Sequence, residues 1–69
     1  MSDMVKIFST PEEMRISMAE SILNEAGIES FRMNKKDSSY LMFGNYELYT
    51  KANVAKEAYE LLKESEVAD

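Results

Sequence analysis

The sequence contains no cysteine and no histidine, and these absences remove most of the chemistry open to a small domain. Without cysteine there can be no disulfide and no thiolate nucleophile. Without histidine the chain lacks the commonest general base and a common zinc ligand. Its serines have no histidine to activate them, and no lysine stands at a recognisable nucleophile spacing. We therefore expect a protein that is not an enzyme, with no catalytic residue, no metal and no cofactor.

Positive charge is scarce, because eight Lys and Arg stand against thirteen Asp and Glu, which leaves a net charge of −5. Affinity for nucleic acid depends on neutralising phosphates, so this balance argues against a nucleic-acid partner. No stretch approaches the ~20 apolar residues of a membrane-spanning helix, and the first residues do not resemble a signal peptide. We expect a cytoplasmic protein without a membrane partner.

The chain has 69 residues, which is the size of one small domain. We expect a single domain over 1–69, with an ordered core at about 4–64 and a frayed tail at 65–69. A core of this size rarely supplies more than roughly 3–5 kcal/mol of stability. Because the sequence has neither cysteine nor histidine, it can form no disulfide and lacks the usual ligands of structural zinc. Association with another subunit is the remaining source of added stability, and we expect a homodimer.

Three stretches alternate apolar and polar residues with the period of a β-strand. They are MVKIFST at 4–10, IESFRMN at 28–34 and NYELYT at 45–50. In the first, alternation places Ile7 on one face and Phe8 on the other. In the last, it places Leu48 opposite Tyr49. Both faces of the sheet should therefore carry large apolar groups.

The first helix is predicted at 11–26. Thr10 is the expected N-cap, Pro11 fits the first helical position, and Glu13 completes a capping box. Gly27 suits the left-handed residue that ends a helix, and Ile28 should pack back onto the last turn. The predicted core stripe consists of Met14, Met18, Ala19, Ile22, Leu23 and Ala26.

The second helix is predicted to begin between Thr50 and Asn53, either of which could cap it. Its apolar residues recur with a period near 3.6, as in an amphipathic helix. They are Val54, Ala55, Ala58, Leu61 and Leu62.

The predicted order is thus β-α-β-β-α, an α+β two-layer sandwich with two helices on one face of an antiparallel sheet. A right-handed crossover through the first helix leaves room for the third strand between the first two. This is the ferredoxin-like arrangement without its last strand. The first strand should lie at an edge of the sheet, where self-association or strand addition can occur.

The candidate interface consists of apolar side chains that this fold does not obviously bury. Their positions follow from the strand pattern and from the stretch at 40–43, which is either a continuation of the last strand or a loop. They are Phe8, Leu41, Phe43 and Tyr49. Contact can be made with a second copy or with another protein, through either the first-strand edge or the residues around 40–49.

A second candidate site is the basic group Arg32, Lys35 and Lys36 near the turn at 34–39. These cations could bind an anionic metabolite, which gives the alternative function of a small-ligand sensor. No Gly-rich loop accompanies them to cradle a nucleotide phosphate. The leading prediction is therefore a non-enzymatic interaction or regulatory module.

Over about residues 4–64 the chain resembles a small bacterial domain family described as "putative prokaryotic signal-transducing protein". The resemblance rests on structural motifs along the whole range. They are Phe8 and Ser9 leading into the first helix, Leu23 with Ala26-Gly27-Ile28 at its end, Leu48 in the last strand, and Ala55, Ala58, Leu61 and Leu62 in the last helix.

This resemblance implies a ferredoxin-like, PII-like fold and a role in signal transduction. PII-type nitrogen regulators bind nucleotide and 2-oxoglutarate in trimer clefts and through a long loop between the second and third strands. Here the corresponding connection is short and the last strand is missing. No residue of this chain matches those ligand contacts, so the resemblance implies a fold and a signalling role without a ligand.

Overall fold

The computed structural model describes residues 3–34 and 44–67, which form three strands and two helices in the order β-α-β-β-α. The elements are β1 at Met4–Thr10, α1 at Glu13–Glu25, β2 at Phe31–Asn34, β3 at Tyr46–Lys51 and α2 at Ala52–Glu64. The sheet is antiparallel with the strand order β1-β3-β2. The α+β fold, the central third strand and the edge position of β1 are as the sequence predicts.

A β-bulge interrupts the pairing of β1 with β3 between Lys6 and Phe8. The extra residue is Ile7, and the strand resumes with Phe8 opposite Leu48. Because one inserted residue shifts the alternation of side chains, Ile7 and Phe8 both lie on the helix side of the sheet. Ile7 is buried and Phe8 packs half-buried against the core. The prediction that Phe8 occupies the opposite face from Ile7 is therefore wrong.

The hydrophobic core lies between the sheet and the two helices. Leu48, at the centre of β3, is fully buried there. The buried apolar residues are Ile7, Ile16, Ala19, Leu23, Ile28, Leu48, Ala58, Leu62 and Val67. The predicted face of α2 is confirmed, since Ala58 and Leu62 are buried and the rest of its stripe packs against this core.

The core face of α1 differs from the predicted stripe. Ile16 is fully buried, whereas Met14 is 76% exposed and Met18 is 50% exposed. Ile16, Ala19 and Leu23 follow the i, i+3, i+7 spacing of one helix face. Both this stripe and the predicted one contain Ala19 and Leu23, so the period alone does not choose between them.

The start of α1 also differs, because the helix begins at Glu13 and Glu12 is its N-cap without a side-chain cap. The hydroxyl of Thr10 accepts a hydrogen bond from the Glu12 backbone N–H at 3.2 Å, which forms a turn ahead of the helix. The predicted capping box and the helical position of Pro11 are therefore wrong. Ala26, placed in the predicted stripe, is the exposed C-cap residue.

The end of α1 forms the predicted cap. Gly27 has a φ of +78°, and the N–H of Ile28 donates to the carbonyl of Leu23 at 2.8 Å. The N–H of Gly27 donates to the carbonyl of Asn24 at 3.0 Å. These two bonds define a Schellman motif, and it turns Ile28 into the core beside Leu23.

The end of α2 repeats this motif with a glutamate in the glycine position. Glu66 has a φ of +62°, and the N–H of Val67 donates to the carbonyl of Leu62 at 3.0 Å. Val67 is only 4% exposed. The chain thus packs through Val67, which lies within the stretch expected to be a frayed tail. At the other end, the N-cap of α2 is Lys51 without a side-chain cap, so neither Thr50 nor Asn53 caps it.

Candidate functional site: the open sheet face

One face of the sheet lies opposite the helices, and we call it the open sheet face. Antiparallel partners share a face, so pairing places Lys6, Tyr49 and Phe31 in one row across the three strands. A second row joins Glu47 of β3 to Met33 of β2. We define the open sheet face by these five residues. Among the described elements, both helices pack on the other side, around Leu48.

The open sheet face carries apolar side chains where polar ones are expected. In a two-layer sandwich the face away from the helices usually alternates to polar residues. Here Phe31 is 42% exposed and Met33 is 45% exposed, and both belong to the edge strand β2. Tyr49 lies half-buried beside Phe31 in the central strand. Aromatic and methionine side chains together are enriched in protein–protein interfaces.

A polar group lies beside these apolar residues. The hydroxyl of Tyr49 donates to Oε1 of Glu47 at 2.7 Å, and Nζ of Lys6 lies 3.6 Å from Oε2 of the same carboxylate. The hydrogen bond to Glu47, then burial, then the charge of Glu47 raise the pKa of Tyr49 above its ordinary value of 10.0. Tyr49 therefore stays protonated at neutral pH and holds the Glu47 carboxylate in place. The face presents both signs of charge in a fixed arrangement.

The open sheet face offers apolar surface beside charged groups that contact one another. Within residues 3–34 and 44–67, no three acidic side chains come together in a way that could hold a metal ion. The acid–base residues of the open sheet face already bond to one another. What remains available to a partner is apolar surface beside a cation and a carboxylate.

The residues predicted for the interface lie in different places. Tyr49 lies on the open sheet face, as predicted, whereas Phe8 packs against the core on the helix side. Leu41 and Phe43 lie outside the described residues, as does the whole stretch at 40–43. Residues 46–49 are regular strand, as expected.

The edge of β1 is a poorer candidate than the open sheet face. β1 is an edge strand, as predicted. The bulge at Ile7 bends it, and Lys6 adds a charge. Bulges and lysines are the features by which natural edge strands avoid pairing with other chains. The local structure therefore disfavours strand addition there.

The predicted anion site is only partly within the described residues, since Lys35 and Lys36 lie outside them. Arg32 connects β2 to α1. One guanidinium nitrogen donates to the Ser17 hydroxyl and to a Glu20 carboxylate oxygen, both at 2.8 Å, and the other lies 3.6 Å from Glu13. The guanidinium also lies 5.7 Å from the centre of the Tyr46 ring. The charge of Arg32 is thus used within the fold, and this argues against its binding an external anion.

Sequence reasoning did not single out Phe31 and Met33 as interface residues. The signal was present, because the alternation in β2 places them on one face opposite Arg32. What it lacked was the register of β2 against β3, which puts Phe31 beside Tyr49 on the face without helices.

Comparison with known proteins identifies one family. A family model described as "putative prokaryotic signal transducing protein" matches residues 4–66, which is nearly the whole chain. No curated protein and no solved structure matches the chain. None of the described helices is long and apolar enough to cross a membrane.

Proposed function

The chain belongs to the prokaryotic family whose model it matches, and from that premise we propose that it is a non-enzymatic, cytoplasmic module that transmits signals through protein–protein contacts. Its first partner is a second copy of the chain, bound through the open sheet face. The observation that carries this proposal is the pair of exposed apolar side chains, Phe31 and Met33, beside Tyr49 on the face opposite the helices.

The small size of the core supports self-association. The described core contains nine buried apolar residues, two of which are alanines. Domains of this length bury a low fraction of their surface and are marginally stable alone. A second sheet packed on Phe31, Met33 and Tyr49 would add a second apolar layer without a disulfide or a metal.

The charges of the open sheet face also suit a symmetric partner. A net charge of −5 repels a second copy at long range. The face itself carries Lys6 next to Glu47, and a two-fold axis through it allows the lysine of each chain to approach the carboxylate of the other. Because the patch carries both signs of charge, two copies do not repel each other where their open sheet faces meet.

Sedimentation equilibrium tests the proposal with two aspartate variants. Phe31→Asp introduces a charge on the open sheet face, and Met14→Asp introduces the same charge on an exposed methionine of α1. We expect a wild-type dimer, a dimeric Met14→Asp variant and a monomeric Phe31→Asp variant that keeps its circular dichroism spectrum. A wild-type chain that stays monomeric at millimolar concentration contradicts the proposal, and so does a Phe31→Asp variant that dimerises as the wild type does.

A further inference from the structure

Helix α1 is apolar on two sides. One side faces the core through Ile16, Ala19 and Leu23. The other side presents Met14 and Met18 to solvent, and Met14 is 76% exposed. A surface helix of a small domain normally has one apolar stripe and a polar opposite side. Met14 and Met18 are exposed and add little to the core, so the stability of the fold does not explain why this side of α1 is apolar.

The exposed side forms a shallow groove along the helix, which we call the methionine groove. It is lined by Met14, Ser17, Met18, Ser21 and Ile22. Met14, Met18 and Ile22 are spaced i, i+4, i+8, so they follow one line along more than two turns, about 12 Å. Ser17 and Ser21 line one side of the groove, and their short side chains leave it shallow. A groove of this length matches two turns of another helix.

Methionine suits a surface that must accept a partner helix. Its side chain is unbranched and polarisable, so it adapts to different apolar shapes and is common at binding surfaces that accept helices. In helix-in-groove recognition, the partner inserts anchors at i, i+3 or i+4, and i+7. The methionine groove has the spacing and the side-chain type for this mode.

The charges at one end of the groove indicate the charge of its partner. Glu25 lies seven residues after Met18, on the same side of α1. The last turn of α1 contains no basic residue, although a helix C-terminus favours cations. Glu25 forms no ion pair with a described residue. This end of the groove is negative and open to an external cation.

We propose that the methionine groove binds an amphipathic helix of a partner protein, with apolar anchors on Met14, Met18 and Ile22 and with Lys or Arg against Glu25. Opposite charge across an interface speeds association and fixes the orientation of the partner. The open sheet face lies on the other layer of the sandwich, so this site is independent of the proposed dimer and both can be occupied at once.

A second copy of the chain fits this groove less well than a basic helix. Antiparallel pairing of two α1 helices centred on Met18 would bring Glu25 of one chain near the first turn of the other, where Arg15 already pairs with Glu12 and offers no unpaired cation. Parallel pairing would bring the two Glu25 side chains together. Like charges brought together at an interface oppose association, and the net charge of −5 adds to the repulsion. An anionic membrane surface is disfavoured for the same reason.

The test uses the full chain labelled with ¹⁵N and a panel of helical peptides of about 15 residues. The peptides carry leucine at i, i+3 or i+4, and i+7, with lysine and arginine on the polar face. Matched peptides carry glutamate in place of the basic residues. Heteronuclear NMR titration locates the contact, and fluorescence anisotropy measures the affinity. The variants are Met14→Gln with Met18→Gln, Glu25→Gln, and the control Met33→Gln on the open sheet face.

We expect the basic peptides to shift the amide signals of residues 14–25 and the acidic peptides to leave them unchanged. Removing two apolar anchors should raise Kd about tenfold or more. Glu25→Gln should raise Kd by about threefold at low salt, as for one partly exposed charge pair, and Met33→Gln should not change it. The inference is overturned by no shift with any basic peptide, by equal binding of acidic peptides, by an unchanged Kd in the double methionine variant, or by shifts confined to the open sheet face. Loss of dimerisation in the double methionine variant would also overturn it, because a second copy would then occupy the groove.

Discussion

Replacing Glu66 by glycine should stabilise the protein. Glu66 has a φ of +62° in the Schellman cap that turns Val67 into the core. The left-handed conformation costs an L-residue roughly 1–2 kcal/mol, and glycine does not pay it. Glycine also gains freedom in the unfolded chain, which offsets about 0.4–1 kcal/mol. The net gain in unfolding free energy is therefore about 0.5–1 kcal/mol.

Gly27 provides the reciprocal experiment in the cap of α1. Its φ is +78°, and a Cβ built there meets no atom within 4 Å. Gly27→Ala therefore tests backbone strain without a clash, and it should cost about 1 kcal/mol or slightly more. The two caps should respond in opposite directions to exchange between glycine and an L-residue.

Urea and thermal unfolding at one protein concentration, followed by circular dichroism, measure both effects. For a domain of this size, 1 kcal/mol shifts Tm by about 4–8 °C. Glu66→Gln is the matched control, because it removes the same charge and keeps the strained backbone. The account is refuted if Glu66→Gly is no more stable than Glu66→Gln, or if Gly27→Ala unfolds at the wild-type temperature.

Three further experiments test the core, the contacts of β2 with α1 and the open sheet face. Ile16→Ala should cost about 2–5 kcal/mol, because Ile16 is fully buried, whereas Met14→Ala should stay within about 0.5 kcal/mol; urea unfolding compares them. Arg32→Lys should lose the forked contacts to α1 and cost about 0.5–1 kcal/mol in the same assay. The raised pKa of Tyr49 means that the folded state holds this proton more tightly, so its contribution to stability is complete below pH 10.0 and is lost as pH rises through the folded pKa. Glu47→Gln should move that pKa back toward its ordinary value, as ultraviolet absorbance titration would show, and an unchanged titration contradicts the Tyr49–Glu47 contact.

The parts of the fold that depend on local chemistry could be predicted from the sequence. The αL position at Gly27 and the apolar residue after it define the end of α1 within a few residues. The alternation in β1 and β3, together with the handedness of the crossover, gives the strand order. The cap of α2 could not be predicted in this way, because Glu66 gives no signal of a left-handed residue and Val67 stands in a polar tail.

Two other features depend on packing that the sequence does not reveal. The residues on both sides of the bulge, Ile7 and Phe8, are apolar, so alternation gives no sign that one residue is extra. In α1, Ala19 and Leu23 belong to two possible stripes, and only contact with α2 and the sheet selects the one that contains Ile16. The predicted face of Phe8 and the predicted core stripe of α1 were therefore wrong, and both bear directly on function. In the structure Phe8 is not part of the candidate surface, and Met14 is exposed rather than buried.

The most direct test of the proposed interface uses the natural absence of cysteine. Met33→Cys and Met14→Cys each give a single thiol for a nitroxide label, and pulsed electron paramagnetic resonance measures the distance between labels on two chains. Sheets packed face to face lie ~10 Å apart. We predict a short interchain distance for labels at Met33 and a much longer one for labels at Met14. Met14 lies on the outer surface of the helix layer, on the side of the sheet opposite Met33. A shorter distance at Met14, or no interchain distance at either site, would contradict dimerisation through the open sheet face.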